Sequence, residues 1–571
     1  MNSRNILLVA VYFLIVTLPA MAQQQQPQFY LDGLGRAIVT NNKLEGSQID
    51  STTVKKGISG YTLFDLGANV ILNNNFKGHA IMRVRNPYGS FFGDRTFFEF
   101  RQIQIDGNIG NLVKYQIGDI YLQMTPYTLF NPNPEYFKYE SEIHRQRREI
   151  IEYENFVVGN MWRLQGVKAG SRFDVTKGIK TLGINAFGVR TNPTNDVLIP
   201  DRLMFGSTLS LGILDNLSLD GHFVGFADMV VNTSAVDYKN NIFTGVIKYN
   251  FDNEMMRLDL GGETGRSNYN YSRTAGASDS VVSKSDFFFD VNAGVVYKPL
   301  KIKLTGNFRD IGPDYTNPGA QSRRINVVQN PLLFPLVNGG FRGQGLYDRF
   351  TQENIYNRGL SFVLQPYVHA FNQIFPYGLA TPNRRGFSIN LASDTSLKVL
   401  SADVNFDSYS EIVGEGVEDL RKFSGISGGM AFNVAKLIGI QRNIVLNAGF
   451  RRESTNRGGI APVDYSSMLI DAGLVLEVVR KIDLMAGYKS IHGKGNEYDG
   501  TRNEFNQFIG FNGWQEDAKM NVFSVGGRVR FGQMSHFSVN YNMVRNAVGG
   551  NTLYGDYNMN QLFFNYTLAL K

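Results

Sequence analysis

A chain of 571 residues has room for three or four soluble domains, yet its 60 glycines, 42 phenylalanines and 28 tyrosines run through it with only 17 prolines and no linker-like break, so one uniform β-rich unit is the better reading. It has no cysteine, which excludes a disulfide framework, a thiolate metal site and an anchor on a lipid-modified cysteine. The net charge of +7 is mild for this length and its basic residues are dispersed, so nucleic acid is not an expected partner.

Residues 1–22 have the form of a cleaved signal peptide: Arg4, an apolar run over 6–18, then Ala20-Met21-Ala22 as a small-x-small cleavage pattern. A short Gln-rich segment, 23–28, follows, and the barrel unit is expected over 29–571. No later apolar run is long enough for a membrane-spanning helix.

From there period-two alternation recurs along the chain. Phe76, Gly78, Ala80, Met82 and Val84 alternate with Lys77, His79, Ile81, Arg83 and Arg85. Successive side chains of a strand point to opposite faces, so such a segment separates an apolar side from a charged one. Phe289, Val291, Ala293, Val295 and Tyr297 repeat the pattern, as do Ile302, Leu304, Gly306 and Phe308, and finally Leu562, Phe564, Tyr566, Leu568 and Leu570. The strands read as about 10–13 residues, against the usual 5–6, which suits a tilted crossing of a bilayer. A two-layer soluble sandwich also alternates, but its strands are shorter.

The links alternate in length. Short ones fall at Asn73-Asn74-Asn75, Asp215-Asn216, Asp252-Asn253, Pro299-Leu300 and 532–535, where Asn, Asp and Gly tolerate tight hairpin geometry. Long ones are expected at 41–58, 124–157, 191–202, 229–241, 268–285, 311–385, 455–466, 491–518 and 547–556. Counting with that parity predicts about 22 strands, with Phe505 to Gly513 assigned to a loop and both chain ends on the short-turn, periplasmic side. Tyr61, Tyr249, Tyr297 and Tyr488 are expected in an interfacial aromatic girdle.

Two long segments stand out. In 124–157, Asn133-Pro134 reads as a helix start with the helix over 135–154; it carries His144, Arg145, Arg147 and Arg148, a basic run that suits anionic groups but is ordinarily a solvated face. Segment 311–385 carries Arg323-Arg324, an apolar stretch over 330–335, Gly-rich 339–345, then Tyr367, His369, Phe371 and Arg384-Arg385; its apolar content predicts that it folds into the barrel mouth. Lys77, Arg83, Arg85, Arg145, Arg147, Arg148, Arg323, Arg324, Arg384 and Arg385 are therefore the candidates for a lumen constriction. Lumen-facing charges of both signs could lock the wall as ion pairs or set up a field across a pore, and distant register decides which.

The alternation, the export signal and the final strand resemble bacterial outer-membrane porins and related barrels, at the level of architecture. That resemblance implies an all-β, up-and-down transmembrane barrel in the outer membrane, in contact with its lipid and lipopolysaccharide. Strands starting near Phe29 leave no room for the plug domain of TonB-dependent transporters. The implied function is a porin-like channel for a small solute, with a weak preference for anions. The alternative is a barrel within a larger assembly for protein secretion, surface attachment or envelope biogenesis, with envelope proteins as partners. No cofactor, metal or catalytic residue is expected: the six histidines are scattered and no catalytic motif occurs, which leaves a barrel enzyme as a minor alternative.

Overall fold

The computed structural model describes residues 27–570 apart from 46–56, 74, 89–95, 111, 130–137, 156–163, 176–177, 193–199, 231–235, 276–277, 322–372, 377, 394–398, 504, 506 and 550–555. The alternating segments form 22 strands: β1 (Gln28–Glu45), β2 (Gly57–Asn73), β3 (Phe76–Pro87), β4 (Phe97–Ile109), β5 (Val113–Asp119), β6 (Gln165–Asp174), β7 (Thr181–Asn192), β8 (Asp201–Gly212), β9 (Leu217–Met229), β10 (Asp237–Asp252) and β11 (Met256–Ala275). The second half holds β12 (Ser278–Tyr297), β13 (Ile302–Ile311), β14 (Arg384–Ser393), β15 (Leu400–Ser410), β16 (Lys422–Asn433), β17 (Ile444–Arg457), β18 (Val463–Val479), β19 (Ile482–Arg502), β20 (Phe508–Arg530), β21 (His536–Gly549) and β22 (Tyr557–Leu570). Two helices interrupt them, α1 (Glu142–Asn155) and α2 (Val434–Ile438).

Every strand pairs antiparallel with its sequence neighbours, and β22 pairs with β1 from Leu570 opposite Gly33 to Asn558 opposite Glu45. The ring closes with no free edge, the one sheet arrangement that satisfies all backbone groups in hydrocarbon. Apolar residues line its outside on strand after strand. Val295, Leu304 and Leu391 stand side by side, as do Val291, Phe308 and Phe387, and all six are 37 to 50% exposed. An apolar belt that continues around a closed wall is a lipid-facing surface, so the barrel is a transmembrane one. On the inner face of the same strands Arg309 meets Asp290 at 2.8 Å.

The short links use the chemistry their residues suggest. The amide of Asn75 donates to Asn73 Oδ1 at 2.8 Å, and those of Met255 and Met256 donate to Asn253 Oδ1 at 2.9 and 2.8 Å. The link between β16 and β17 holds α2, too short to show a period in the sequence. It is capped by Asn433, which accepts from the Lys436 amide, and by Gly439 in the left-handed conformation, φ 73°.

Several expected loops are shorter than predicted. Most of 491–518 is strand, because β19 and β20 continue as one hairpin that pairs, past a bulge, out to Arg502 opposite Phe508. Phe508 to Gly513 is thus the start of β20, which leaves the strand parity intact. Likewise β11 and β12 extend through most of 268–285, and β17 and β18 leave only 458–462 between them. The helix begins at Glu142, with the Ser141 carbonyl accepting from His144 and Arg145, not at the expected Asn133-Pro134, which lies outside the described residues.

Tyr61 is a further correction. It shares the face of Asp65, is 5% exposed and points inward, whereas Tyr297 and Tyr488 are 40 and 41% exposed on the outer face. The odd positions of β2 face the interior, so an aromatic near a strand end is not by itself a girdle residue.

Candidate functional site

Helix α1 lies against the inward-facing residues of two separate arcs of the wall. At its C-terminal end the Glu154 carboxylate receives Arg36 at 3.0 Å, Arg85 at 2.7 Å and the Tyr61 hydroxyl at 2.8 Å. The Glu154 carbonyl accepts from Arg83 Nη1 at 2.7 Å, and the Tyr153 carbonyl accepts from Arg101. A helix C-terminus exposes unpaired carbonyls and a partial negative charge. The last turn of α1 has no basic residue of its own, so the wall supplies the cations.

Asp65 knits the same group together. Arg83 grips both its oxygens at 2.7 Å, Arg101 approaches at 2.6 Å and the Tyr153 hydroxyl donates at 2.6 Å. The guanidinium of Arg101 also lies 4.0 Å from the centre of the Tyr153 ring. Burial pushes the Tyr153 hydroxyl up to about 12, so it remains a donor at any ordinary pH.

The N-terminal end docks on β18 to β20. The Ser141 amide donates to Asp471 at 3.0 Å, and Lys489, fully buried, bridges Glu140 at 2.6 Å and Asp471 at 3.2 Å. Arg148 adds a bond to Glu140 at 2.7 Å. Arg528 reaches Glu142 at 2.6 Å and Asp483 at 2.8 Å. His144 is fully buried, its Nδ1 2.8 Å from Ser141 Oγ and 3.3 Å from Asp471, its Nε2 3.2 Å from Ser524 Oγ. Between the two ends Arg147 donates to Gln561 at 2.7 Å and stacks over Phe563 at 4.1 Å.

The wall makes room for this end of the helix at a glycine. A Cβ built on Gly487 would lie 2.5 Å from Ile143 Cγ2, 3.0 Å from Ser141 Oγ and 3.2 Å from His144, all atoms of α1 or its cap. Gly487→Val should therefore displace α1 without disturbing the strand, at a cost of about 1–3 kcal/mol from overpacking. Limited proteolysis across 138–155 should accelerate in this variant while the barrel's resistance to heat in detergent is unchanged.

A second inward cluster involves the chain on either side of the long links. Tyr127 stacks on Phe288 at 4.4 Å, and its hydroxyl donates to Asp290 at 2.5 Å and accepts from Arg309 at 2.8 Å. The Tyr315 hydroxyl and the Asn317 amide both donate to the Tyr127 carbonyl, at 2.5 and 2.7 Å. Gln321 ties this to the far side of the link through the Ala380 carbonyl at 2.8 Å.

The structure brings some of the predicted residues together and separates others. Arg83 and Arg85 join on Glu154. Arg147 and Arg148 anchor the middle and start of the helix, the first buried and the second half-buried, and do not form a solvated face; the Arg145 side chain is 43% exposed and pairs with Glu142 and Glu149 of its own helix. Lys77 is exposed near the short-turn end of β3. Arg384 is buried under Phe423 and donates to the Ile374 carbonyl at 2.9 Å. Arg385 lies on the outward face of β14, with Phe387, Ile389 and Leu391, paired with Asp310 at 2.8 Å. Arg323 and Arg324 lie outside the described residues, as do 330–335, 339–345, Tyr367, His369 and Phe371.

Below the first cluster the inner faces of β4 to β9 leave a polar cavity of about 910 Å³, lined by Lys114, Lys168 and Arg172 together with Asp106, Asp174 and Asp220. Asp106 accepts from Gln104 and Gln116, and Asp220 is 3.5 Å from Lys248. Lys168 reaches only the Tyr121 carbonyl, at 3.4 Å, and none of the three basic residues makes an ion pair among the described residues. They were not among the sequence candidates, since isolated cations on alternating strands carry no signal beyond strand polarity. The pair Asp65 and Arg83 was within reach: a turn centred on residue 74 puts 83 opposite 65.

No family model matches the chain, and no curated protein matches it. Among solved structures it is similar to the copper transporter OprC (10% identity, 95% of this chain and 82% of that one, TM-score 0.46). It is also similar to OccK11 (OpdR) of Pseudomonas aeruginosa (10% identity, 95% and 96%, TM-score 0.33) and OccAB2 of Acinetobacter baumannii (9% identity, 95% and 98%, TM-score 0.34).

Proposed function

We propose that this chain is an outer-membrane channel, exported by a signal peptide over 1–22, whose lumen is narrowed by its own segments 124–157 and 311–385 and which passes small solutes with a weak preference for anions. The observation that carries this reading is α1, fastened at one end to β1–β4 and at the other to β18–β20. A barrel of about 22 strands encloses a lumen wide enough to compromise a membrane unless it is obstructed. A helix strapped across the interior by buried ion pairs is an obstruction made by the chain itself. The space left beside it is faced by Lys114, Lys168 and Arg172, which make no ion pair among the described residues, whereas of the aspartates beside them Asp106 is engaged by Gln104 and Gln116 and Asp220 by Lys248; the uncommitted cations favour the entry of anions.

The test is single-channel recording of the purified chain in a planar bilayer across a salt gradient. Wild type should conduct in small steps with a reversal potential on the anion side. The triple variant Lys114→Gln, Lys168→Gln, Arg172→Gln should conduct with the preference abolished or reversed. A purified chain that inserts without conducting, and that co-purifies with fixed envelope partners in mild detergent, would replace the channel reading with that of an assembly component.

A further inference from the structure

On the outward face of β8 to β12 a row of small residues interrupts the apolar belt. In register, Leu209 stands beside Gly221, Gly221 beside Gly245, and Gly245 beside Thr264. The small residues leave a groove of about 530 Å³ on the lipid side, walled by Leu209, Phe223, Phe243 and Phe287. A Cβ built on Gly221 or on Gly245 meets nothing within 4 Å, so the protein's own packing does not demand a glycine at either position.

The next row toward the long-loop side reads Phe223, Phe243, Arg266 and Phe287. Arg266 is exposed, lies over the Phe287 ring at 5.0 Å and donates to Ser285 Oγ at 2.8 Å. Among the described residues it has no carboxylate partner. A cation on the lipid face of a barrel is unfavourable except near the headgroups or beside an anion. Arg266 is at that height. Counted from the start of β11 it stands roughly 25 Å up the wall, at about 3.3 Å per residue and about 40° of tilt, which is the height of an apolar belt. The row above it is Asn241, Asn268 and Ser285, so the wall turns polar at this level.

We propose that this groove is a lipid-binding site for one phosphorylated glycolipid of the outer leaflet, the lipid A portion of lipopolysaccharide. An acyl chain fills the space over Gly221, Gly245 and Thr264. A phosphate pairs with Arg266, whose planar guanidinium suits a bidentate phosphate contact, and Asn268 and Asn241 offer amide donors beside it. Apolar groove, cation and polar row follow one another up the wall in the order in which chain, phosphate and sugar follow one another in such a lipid. The proposal rests on the outer-membrane reading above and adds a specific lipid partner to it.

The experiment uses the full chain in phospholipid nanodiscs, titrated with bisphosphorylated lipid A or with its dephosphorylated form and read by native mass spectrometry. Wild type should retain one bisphosphorylated molecule in preference to the dephosphorylated one. Arg266→Gln should weaken retention of the phosphorylated form by roughly tenfold and erase the preference, as expected when a charge-assisted contact is lost. Gly245→Leu, which fills open space and leaves the fold intact, should weaken both forms. Retention unchanged in both variants, no preference for the phosphorylated form in wild type, or a wild-type dimer that Gly245→Leu dissociates would each overturn the proposal; the last would assign the groove to a second copy of the chain. Insertion into vesicles is scored separately: a chain that does not insert sinks the outer-membrane reading, whereas one that inserts without selecting lipid A sinks this site alone.

Discussion

Glu154→Ala is expected to free the C-terminal end of α1 and raise single-channel conductance several-fold. The carboxylate is 1% exposed and serves two arginines and a tyrosine, and Arg36 beside it is 6% exposed. Removing one partner of a buried pair leaves the other charges uncompensated, typically at a cost of about 3–5 kcal/mol. The remaining carbonyl contacts from Arg83 and Arg101, at about 1.5–3 kcal/mol each for a hydrogen bond to a charged group, are together of the same size, so the end of α1 is freed part of the time and not completely. Glu154→Gln, which keeps the shape and loses the charge, should give an intermediate conductance. Hydrogen exchange over 142–155 provides an independent reading: protection should fall in the order wild type, Gln, Ala. Unchanged conductance together with unchanged protection in the alanine variant would mean that α1 is not held by this contact.

Acid is expected to loosen the opposite end of the same helix. Burial holds the His144 imidazole below its ordinary value of 6.5, against the pull of Asp471, while Lys489 pushes it down further. The groups facing the ring are Ser141, Asp471, Ser524 and, around them, Lys489 and Glu140. A neutral ring with its proton on Nδ1 donates toward Ser141 and Asp471 and accepts from Ser524. Because the folded value lies below the unfolded one, the unfolded segment binds the proton first as pH falls. Docking of α1 is therefore at full strength above about 6.5 and weakens below it by about 1.4 kcal/mol per pH unit until the folded value is reached. Protease access to 138–155, followed from about pH 7.5 to about pH 5, should rise in wild type and stay flat in His144→Gln. A wild-type profile as flat as the variant's would remove His144 from any role in holding the helix.

The barrel was legible because its cause is local. Alternation within each segment and Asn, Asp or Gly at most of the short links predict strand number, direction and inward face without reference to any distant residue. The errors arose where two local signals meet. A hairpin that continues beyond the membrane looks like a loop containing one extra strand, as in 491–518. An inward tyrosine near a strand end looks like an interfacial one, as at Tyr61.

The clamps on α1 were legible in part. Arg147 and Arg148 could be singled out as a basic run, but a basic run normally faces water. It is turned inward here because the surface it meets is itself polar. The partners on the wall, Asp65, Asp471, Lys489 and Gln561, come from strands far apart in the chain, and only closure of the ring brings them around one helix. Even so, Asp65 opposite Arg83 follows from the turn between β2 and β3, so a careful register count recovers the nearest of these pairs.

The way α1 is tied has a consequence for the order of assembly. Its C-terminal grip uses β1 to β4, which precede it in the chain, whereas its N-terminal grip needs β18 to β20 and its middle needs Gln561 and Phe563 of the last strand. The helix can thus be half-tethered while more than half of the wall is still unmade, and its remaining contacts form only once β22 has zipped onto β1. Its final docking therefore marks completion of the barrel. A chain stalled before its last hairpin would carry the same helix dangling from one side, a difference that a protease added during refolding would detect.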